Sequence, residues 1–402
     1  MLTMRIVYSI LFFNFYKLIT SREFSIDSLR LLKSHTVYPE VFMNSTQLIQ
    51  YNGYQAEKHE VTTKDGFILG VHRIPKPSRP VVLLQHGLLA DSGCYLFNAK
   101  NGSLAFILSD AGYDVWLGNS RGNTYSMKHA KYNSSQDEFW NFSWQDMADK
   151  DLPATIDYIL KSTNQSDLIY IGHSQGTCIG FDGFSRNKEM SNKIKLFIAL
   201  APVGKVKNIR GLLSLAFKAF KDDLDRAYTV FGRKGFLLNS STNMDIADKI
   251  CDTVDTALVC SDFTELIYGR GLTDVDVNRI PVYLAHIPSG TSVRNIVHFA
   301  QEILSGQYQL YDFGSPSANM AQYNQTTPPQ VNLQDVDVPV ALYSGSNDFL
   351  ADPIDVKFMS SQLKNVVDQK EYFNWNHKDF IVGNTPPRTL YIEILKLIDK
   401  FL

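Results

Sequence analysis

The pentapeptide Gly172-His173-Ser174-Gln175-Gly176 constrains this chain more than any other stretch. An apolar, β-branched run at residues 168–171 precedes it, and a helical pattern over residues 175–184 follows. A G-x-S-x-G sequence between a strand and a helix makes a sharp turn that lifts the serine hydroxyl above a sheet edge. The turn is tight and strained, so its flanking positions need glycine. The hydroxyl also stands at a helix N-terminus, where free N–H groups and the helix dipole favour developing negative charge. Without that context the motif would be a chance loop; with it, Ser174 is predicted to be a nucleophile.

The rest of the chain supplies a matching frame. Residues 81–84, 113–117, 168–171, 196–200 and 340–343 are short apolar runs that predict buried strands. Their apolarity is continuous rather than alternating, as in a parallel sheet covered on both faces. Helical patterns lie between them, at residues 146–160 and again from Leu390, where Leu390, Ile394, Leu397, Ile398 and Phe401 share one face. This alternation predicts a doubly wound α/β fold, and the serine elbow makes the α/β-hydrolase fold the expected one. At 402 residues the chain is too long for one minimal domain. The rhythm breaks between about residues 206 and 332, a mostly helical stretch expected to form a cap and lid over the site. The expected division is a signal peptide at 1–23, the core at 24–205, the insertion at 206–332 and the remaining core at 333–402.

A serine hydroxyl needs a base and an orienting acid, and in this fold they follow in the order Ser, Asp or Glu, His. Asp348 lies just beyond the strand at 340–343 on a glycine-containing turn, so it is the expected acid. Asp352 and Asp355 read as a cap or a solvated helix start, and Asp337 precedes the strand, at the wrong end of the sheet. His377 is the last histidine and the only one after Asp348. It follows a short strand at 371–373 and is the expected base. Asp379 beside it reads as surface-exposed or a local loop partner, and His286 and His298 as structural. The oxyanion hole needs two N–H donors. Gln175 should supply one and Leu88, in the loop after the strand at 81–84, the other. Gly87 would permit close backbone approach, and His86 should brace that loop.

Net charge is −2, and no basic run or aromatic RNA motif occurs, which excludes an electrostatic nucleic-acid binder. No dinucleotide, P-loop or H-E-x-x-H pattern is present, so no cofactor and no metal are expected. Arg5 followed by the apolar run 6–13 resembles a signal peptide and falls short of the roughly 20 apolar residues of a membrane span. N-x-S/T acceptors at Asn44, Asn101, Asn133, Asn141, Asn164, Asn239 and Asn324 agree with passage through the secretory route. Of the four cysteines, only Cys251 and Cys260 are close enough in sequence to suggest a local staple.

These motifs resemble those of the acid lipase family, which includes gastric, lysosomal and insect lipases. The resemblance runs through residues 52–54, 63–69, 84–89, 116–123, 172–177, 289–292, 347–353 and 376–380. It implies hydrolysis of triacylglycerol or sterol esters, with Ser174, Asp348 and His377 as the triad and Leu88 and Gln175 as donors. It also implies a mobile lid and a disulfide between Cys251 and Cys260. Gln55 stands where the family often has proline, and Ser344-Gly345-Ser346 replaces a more glycine-rich turn; neither touches the triad.

The expected substrate is a lipid ester met at an apolar interface, and the expected state a secreted monomer, with lysosomal delivery the alternative. No obligate protein partner is implied. The apolar stretches 212–220 and 231–238 fit either a lid or packed cap helices. A lipid carrier on a hydrolase scaffold without turnover, and an acyltransferase or thioesterase using the same triad, are the rival readings.

Overall fold

The computed structural model describes residues 38–211, 214–215, 228–229, 232–239, 268–269 and 275–402. The expected signal peptide, most of the stretch 212–220, and Cys251 and Cys260 lie outside these residues.

Eight strands form the main path of a nine-stranded sheet: β1 (Glu57–Thr62), β2 (Phe67–Ile74), β3 (Val81–Gln85), β4 (Asp114–Leu117), β5 (Leu168–His173), β6 (Ile194–Leu200), β7 (Val340–Gly345) and β8 (Val366–Tyr372). Their order is β1-β2-β4-β3-β5-β6-β7-β8, and a two-residue strand at Lys128–His129 pairs with β2. From β4 to β8 every pairing is parallel, whereas β1 and β2 run antiparallel. All residues of β3, β4, β5 and β7 are buried, as the continuous apolar runs predict. Helices α1 (Leu152–Thr163), α2 (Gln175–Arg186), α3 (Val293–Ser305), α4 (Pro353–Gln362) and α5 (Leu390–Ile398) are the longest described. In α5 the buried residues include Leu390, Ile394, Leu397 and Ile398, the expected apolar face. This is the α/β-hydrolase fold. No helix among the described residues is long and apolar enough to cross a membrane.

Three departures from expectation have local causes. Strand β1 carries no continuous apolar run to announce it; it mostly alternates exposed and half-buried residues at the sheet edge. The helix expected at 146–160 is broken into Trp144–Asp146, a π-helical turn at Met147–Asp151, and α1. Pro153 sits in the first turn of α1 and has no N–H to continue the ladder backwards. Within the expected apolar stretch 231–238, Gly235–Phe236 is a short strand paired with Thr291–Ser292, not a helix.

The wide turn at 147–151 carries Asp151 to Arg121, whose side chain is 1% exposed. The guanidinium donates to Asp151 Oδ1 at 2.8 and 2.6 Å and to Asp65 at 2.7 and 3.0 Å. One buried cation thus joins the β1–β2 turn, the loop after β4 and the start of α1. Burial pushes the Asp151 carboxyl above its ordinary value, and Arg121 is the group that opposes this. Arg121→Met should therefore cost about 3–5 kcal/mol in chemical unfolding, because it strands Asp151 without its cation. A loss below about 1 kcal/mol would show that the ion pair is not structural.

Candidate active site

The site assembles where β3, β5, β7 and β8 end. Strand β5 gives way directly to α2, and Ser174 occupies the turn with φ 54° and ψ −121°. That conformation is strained for any residue with a side chain. It is held from outside: the Ser174 N–H donates to the Leu200 carbonyl at the end of β6, at 3.0 Å. The flanking glycines are required by space. A β-carbon on Gly172 would lie 2.7 Å from the Gly176 carbonyl carbon, and one on Gly176 would lie 2.4 Å from the Gln85 carbonyl oxygen.

The loops after β7 and β8 are joined to one another. Ser346 N donates to Tyr372 O at 3.0 Å and Asn347 N to Trp375 O at 3.0 Å. This brings Asp348 and His377 together, both buried. His377 Nε2 lies 2.7 Å from Ser174 Oγ, and Nδ1 lies 2.9 and 3.0 Å from the Asp348 carboxylate oxygens. Asp348 Oδ1 also accepts from Leu350 N and Ala351 N, each at 2.8 Å, which fixes the carboxylate plane. Because the carboxylate only accepts, Nδ1 carries the proton and Nε2 is left to accept from the serine.

Upstream, the loop after β3 reaches the serine. Gln85 pairs with Gly172, so the loop and the elbow leave the sheet at one level. A β-carbon on Gly87 would stand 2.9 Å from the Ser174 β-carbon. Neither Leu88 N–H nor Gln175 N–H takes a hydrogen bond among the described residues. His86 is buried and holds this loop: Nδ1–H donates to Gly87 O at 2.8 Å, and Nε2 accepts from Ser120 N at 3.0 Å and from Asn123 Nδ2 at 3.1 Å. Burial lowers its pKa, so the neutral form persists.

The other acidic and histidine side chains sort by position. Asp352 caps α4, accepting from Ile354 N. Asp355 is not solvated but buried, accepting from Asn208 N and Nδ2 at 2.7 and 2.8 Å. Asp379 is not surface-exposed either; it is buried and its Oδ2 accepts from Asn376 N at 2.7 Å, a local loop partner. Exposed Asp337 pairs with Lys188, away from the site. His286 contacts the Glu40 carbonyl, and His298 lies between Ser143 Oγ and the Gln309 carbonyl. Among the described residues no set of three His, Cys, Asp or Glu side chains is placed to hold a metal.

Several residues at the site carry no local sequence signal. The Tyr268 carbonyl accepts from His377 N at 3.3 Å and from Phe349 N at 3.4 Å, so one insertion carbonyl touches the loops of both His377 and Asp348. The Tyr268 ring lies parallel to the His377 ring, 6.2 Å away. Arg210 donates to the Asp348 carbonyl at 2.9 Å and pairs with Asp352 at 2.8 Å. Asn295 Nδ2 holds Gln175 Oε1 at 2.7 Å. The stretch Ser289-Gly290-Thr291-Ser292 docks the insertion: Ser289 N donates to Leu89 O, and Ser289 Oγ to Asp91 Oδ2 at 2.6 Å.

His173 lies directly behind the pair, and its Nε2–H donates to the His377 carbonyl at 3.0 Å. Burial, aided by the neighbouring His377, lowers its pKa from 6.5 to about 3. Between those values the unfolded chain binds a proton that the folded chain refuses. The stability His173 supports is complete above pH 6.5 and declines as the pH falls towards 3, by up to about 1.4 kcal/mol per pH unit. Urea unfolding of His173→Gln from pH 4 to 7 should show a pH slope shallower by about one proton; parallel slopes would refute this account. Separately, Ser174→Gly should be more stable than Ser174→Ala by about 1 kcal/mol, since only glycine relieves the turn strain. Equal denaturation midpoints would mean the turn stores no strain.

Residues 80–384 match the family model for the alpha/beta hydrolase fold, and residues 45–99 match that for a partial alpha/beta-hydrolase lipase region. The chain is 42% identical to lipase member K of Homo sapiens over 382 residues, covering 92% of this chain and 94% of that one. It is 44% identical to gastric triacylglycerol lipase of Homo sapiens over 376 residues, again covering 92% and 94%. Among solved structures, an esterase from Exiguobacterium antarcticum superposes with a TM-score of 0.52 at 12% identity, covering 85% of this chain and 100% of that one. A soluble variant of monoglyceride lipase from Saccharomyces cerevisiae gives 0.50 at 16% identity, covering 86% and 97%. These two likenesses concern the fold.

Proposed function

The chain belongs to the α/β-hydrolase fold family, among its lipases, and from that premise we propose that it hydrolyses lipid esters through Ser174, His377 and Asp348. The observation that carries this is the continuous line from Ser174 Oγ to His377 Nε2 at 2.7 Å and from Nδ1 to the Asp348 carboxylate. His377 Nε2 takes the serine proton as Oγ bonds to the ester carbonyl carbon. The carbonyl oxygen becomes an oxyanion, for which the N–H groups of Leu88 and Gln175 are the donors. Collapse breaks the bond to the alcohol oxygen, which leaves with the proton from His377. Water then gives a proton to Nε2, attacks the acyl-serine and releases the fatty acid, and Ser174 recovers its proton.

A fatty-acyl substrate is supported by the 44% identity to a gastric triacylglycerol lipase. Triacylglycerol and sterol esters are the two candidate classes. Entry into the secretory route is supported by the acceptor asparagines: Asn44, Asn101, Asn133, Asn141, Asn164 and Asn324 are all exposed. Asn239 differs, being half-buried with its Nδ2 donating to the Ala285 carbonyl at 3.2 Å. Secretion, or delivery to lysosomes by the same entry, and a monomeric state are part of this reading.

Ser174→Ala and Asp348→Asn should each lower turnover of triolein or cholesteryl oleate by about 10,000-fold or more. The folded wild type should react with a fluorophosphonate at Ser174, and Ser174→Ala should not. Unlabelled, folded wild-type protein would instead favour a carrier. Assays at acidic and neutral pH with both esters rank the two substrate classes, and added alcohol as acceptor separates hydrolysis from acyl transfer.

A further inference from the structure

A second concave site lies away from the triad, between the segment ahead of α1 and the insertion. It is a cleft of about 460 Å³, within the size range of small-ligand pockets. Tyr228 and Phe313 supply half-exposed aromatic surface with the buried Trp140 and Tyr311 behind it, and Arg233 and Arg294 supply donors. Arg294 lies over the Tyr311 ring at 4.2 Å and the Phe313 ring at 5.1 Å, and Arg233 over the Tyr228 ring at 4.6 Å. The Tyr228 and Tyr311 hydroxyls meet at 2.8 Å. Asp137 and Glu138 add acceptors at the same cleft. Flat rings beside both donors and acceptors suit a sugar, whose C–H face packs on an aromatic ring while its hydroxyls find polar partners.

The occupant is indicated by the cleft itself. Asn141 lines it, is exposed, and heads the acceptor triplet Asn141-Phe142-Ser143. Its Oδ1 accepts from Arg294 Nη1, while no described residue bonds to Nδ2, the atom that an N-linked glycan occupies. The exposed Asn164 provides a contrast within the same chain. It borders a shallower depression lined by Asp157, Leu160, Lys161, Gln165, Ser166 and Lys193, with no aromatic side chain.

We propose that Asn141 carries an N-linked glycan whose first sugars lie in this cleft and tie residues 137–141 to the insertion. Arg294 orients the Asn141 carboxamide, and the half-buried rings of Phe313 and Tyr228 form the wall against which the sugar packs. The proposal rests on the reading that the chain enters the secretory route.

The test uses the full chain secreted from cultured eukaryotic cells. Site occupancy is measured by glycopeptide mass spectrometry, and glycan release by peptide N-glycosidase is timed on folded and on denatured protein. Asn141 should be occupied. On folded protein its glycan should leave about tenfold more slowly than those at other occupied sites, the factor that about 1.4 kcal/mol confers. On denatured protein the rates should converge. Phe313→Ala, or Arg294→Ala if that variant folds poorly, should keep Asn141 occupied yet speed its release from folded protein. An empty Asn141 beside other occupied sites overturns the cleft proposal alone, as does release at the common rate. A chain with no site occupied overturns the secretory reading together with it.

Discussion

The constraint on which the structure depends is the backbone contact between the ends of β3 and β5. Gly176 packs so close to the Gln85 carbonyl that a methyl group there has no room, and Gly172 meets Gly176 in the same way. Gly87 repeats this contact on the other side, against the serine itself. Because the strands leave the sheet at one level, Ser174 and the loop that carries Leu88 face each other without any further adjustment. A single extra carbon at these positions would push apart the two groups whose proximity the chemistry needs. The strained backbone of Ser174 is a consequence: the surrounding strands fix both ends of the turn, and the serine accepts the conformation that remains.

Around that contact, neutral buried histidines do the holding. His86 and His173 each use a ring N–H to fix a neighbouring carbonyl, of Gly87 and His377 respectively. Burial keeps both uncharged, so each keeps a hydrogen-bonding pattern that protonation would change. His377 differs because a carboxylate stands behind it. The same residue type thus serves two purposes, decided by whether its partner is a carbonyl or an anion.

The elbow, the order of acid and base, and the parallel strands were legible in the sequence, for a local reason. A G-x-S-x-G turn needs its glycines within five residues, and a doubly covered strand needs a continuous apolar run. Strand β1 was not legible, because an edge strand with alternating exposure leaves no such run. Asp355 read as a cap or a solvated helix start yet is buried, since its partner Asn208 is remote in sequence, whereas Asp379 is the local loop partner of Asn376 that its position allowed. The helix expected at 146–160 bends through a wide turn at 147–151, ahead of Pro153, and there Asp151 meets Arg121.

The sequence by itself therefore determined which serine, which histidine and which carboxylate come together, and the sheet that presents them. Those features depend on residues near one another along the chain or on an order the fold imposes. Tertiary structure alone decided how the insertion grips the site. The Tyr268 carbonyl on the loops of Asp348 and His377, Arg210 on the Asp348 carbonyl, and Asn295 on Gln175 join residues far apart in sequence. A backbone carbonyl has no identity in a sequence, and a polar side chain does not announce its remote partner. Such contacts exist only once the sheet has brought the loops to one edge.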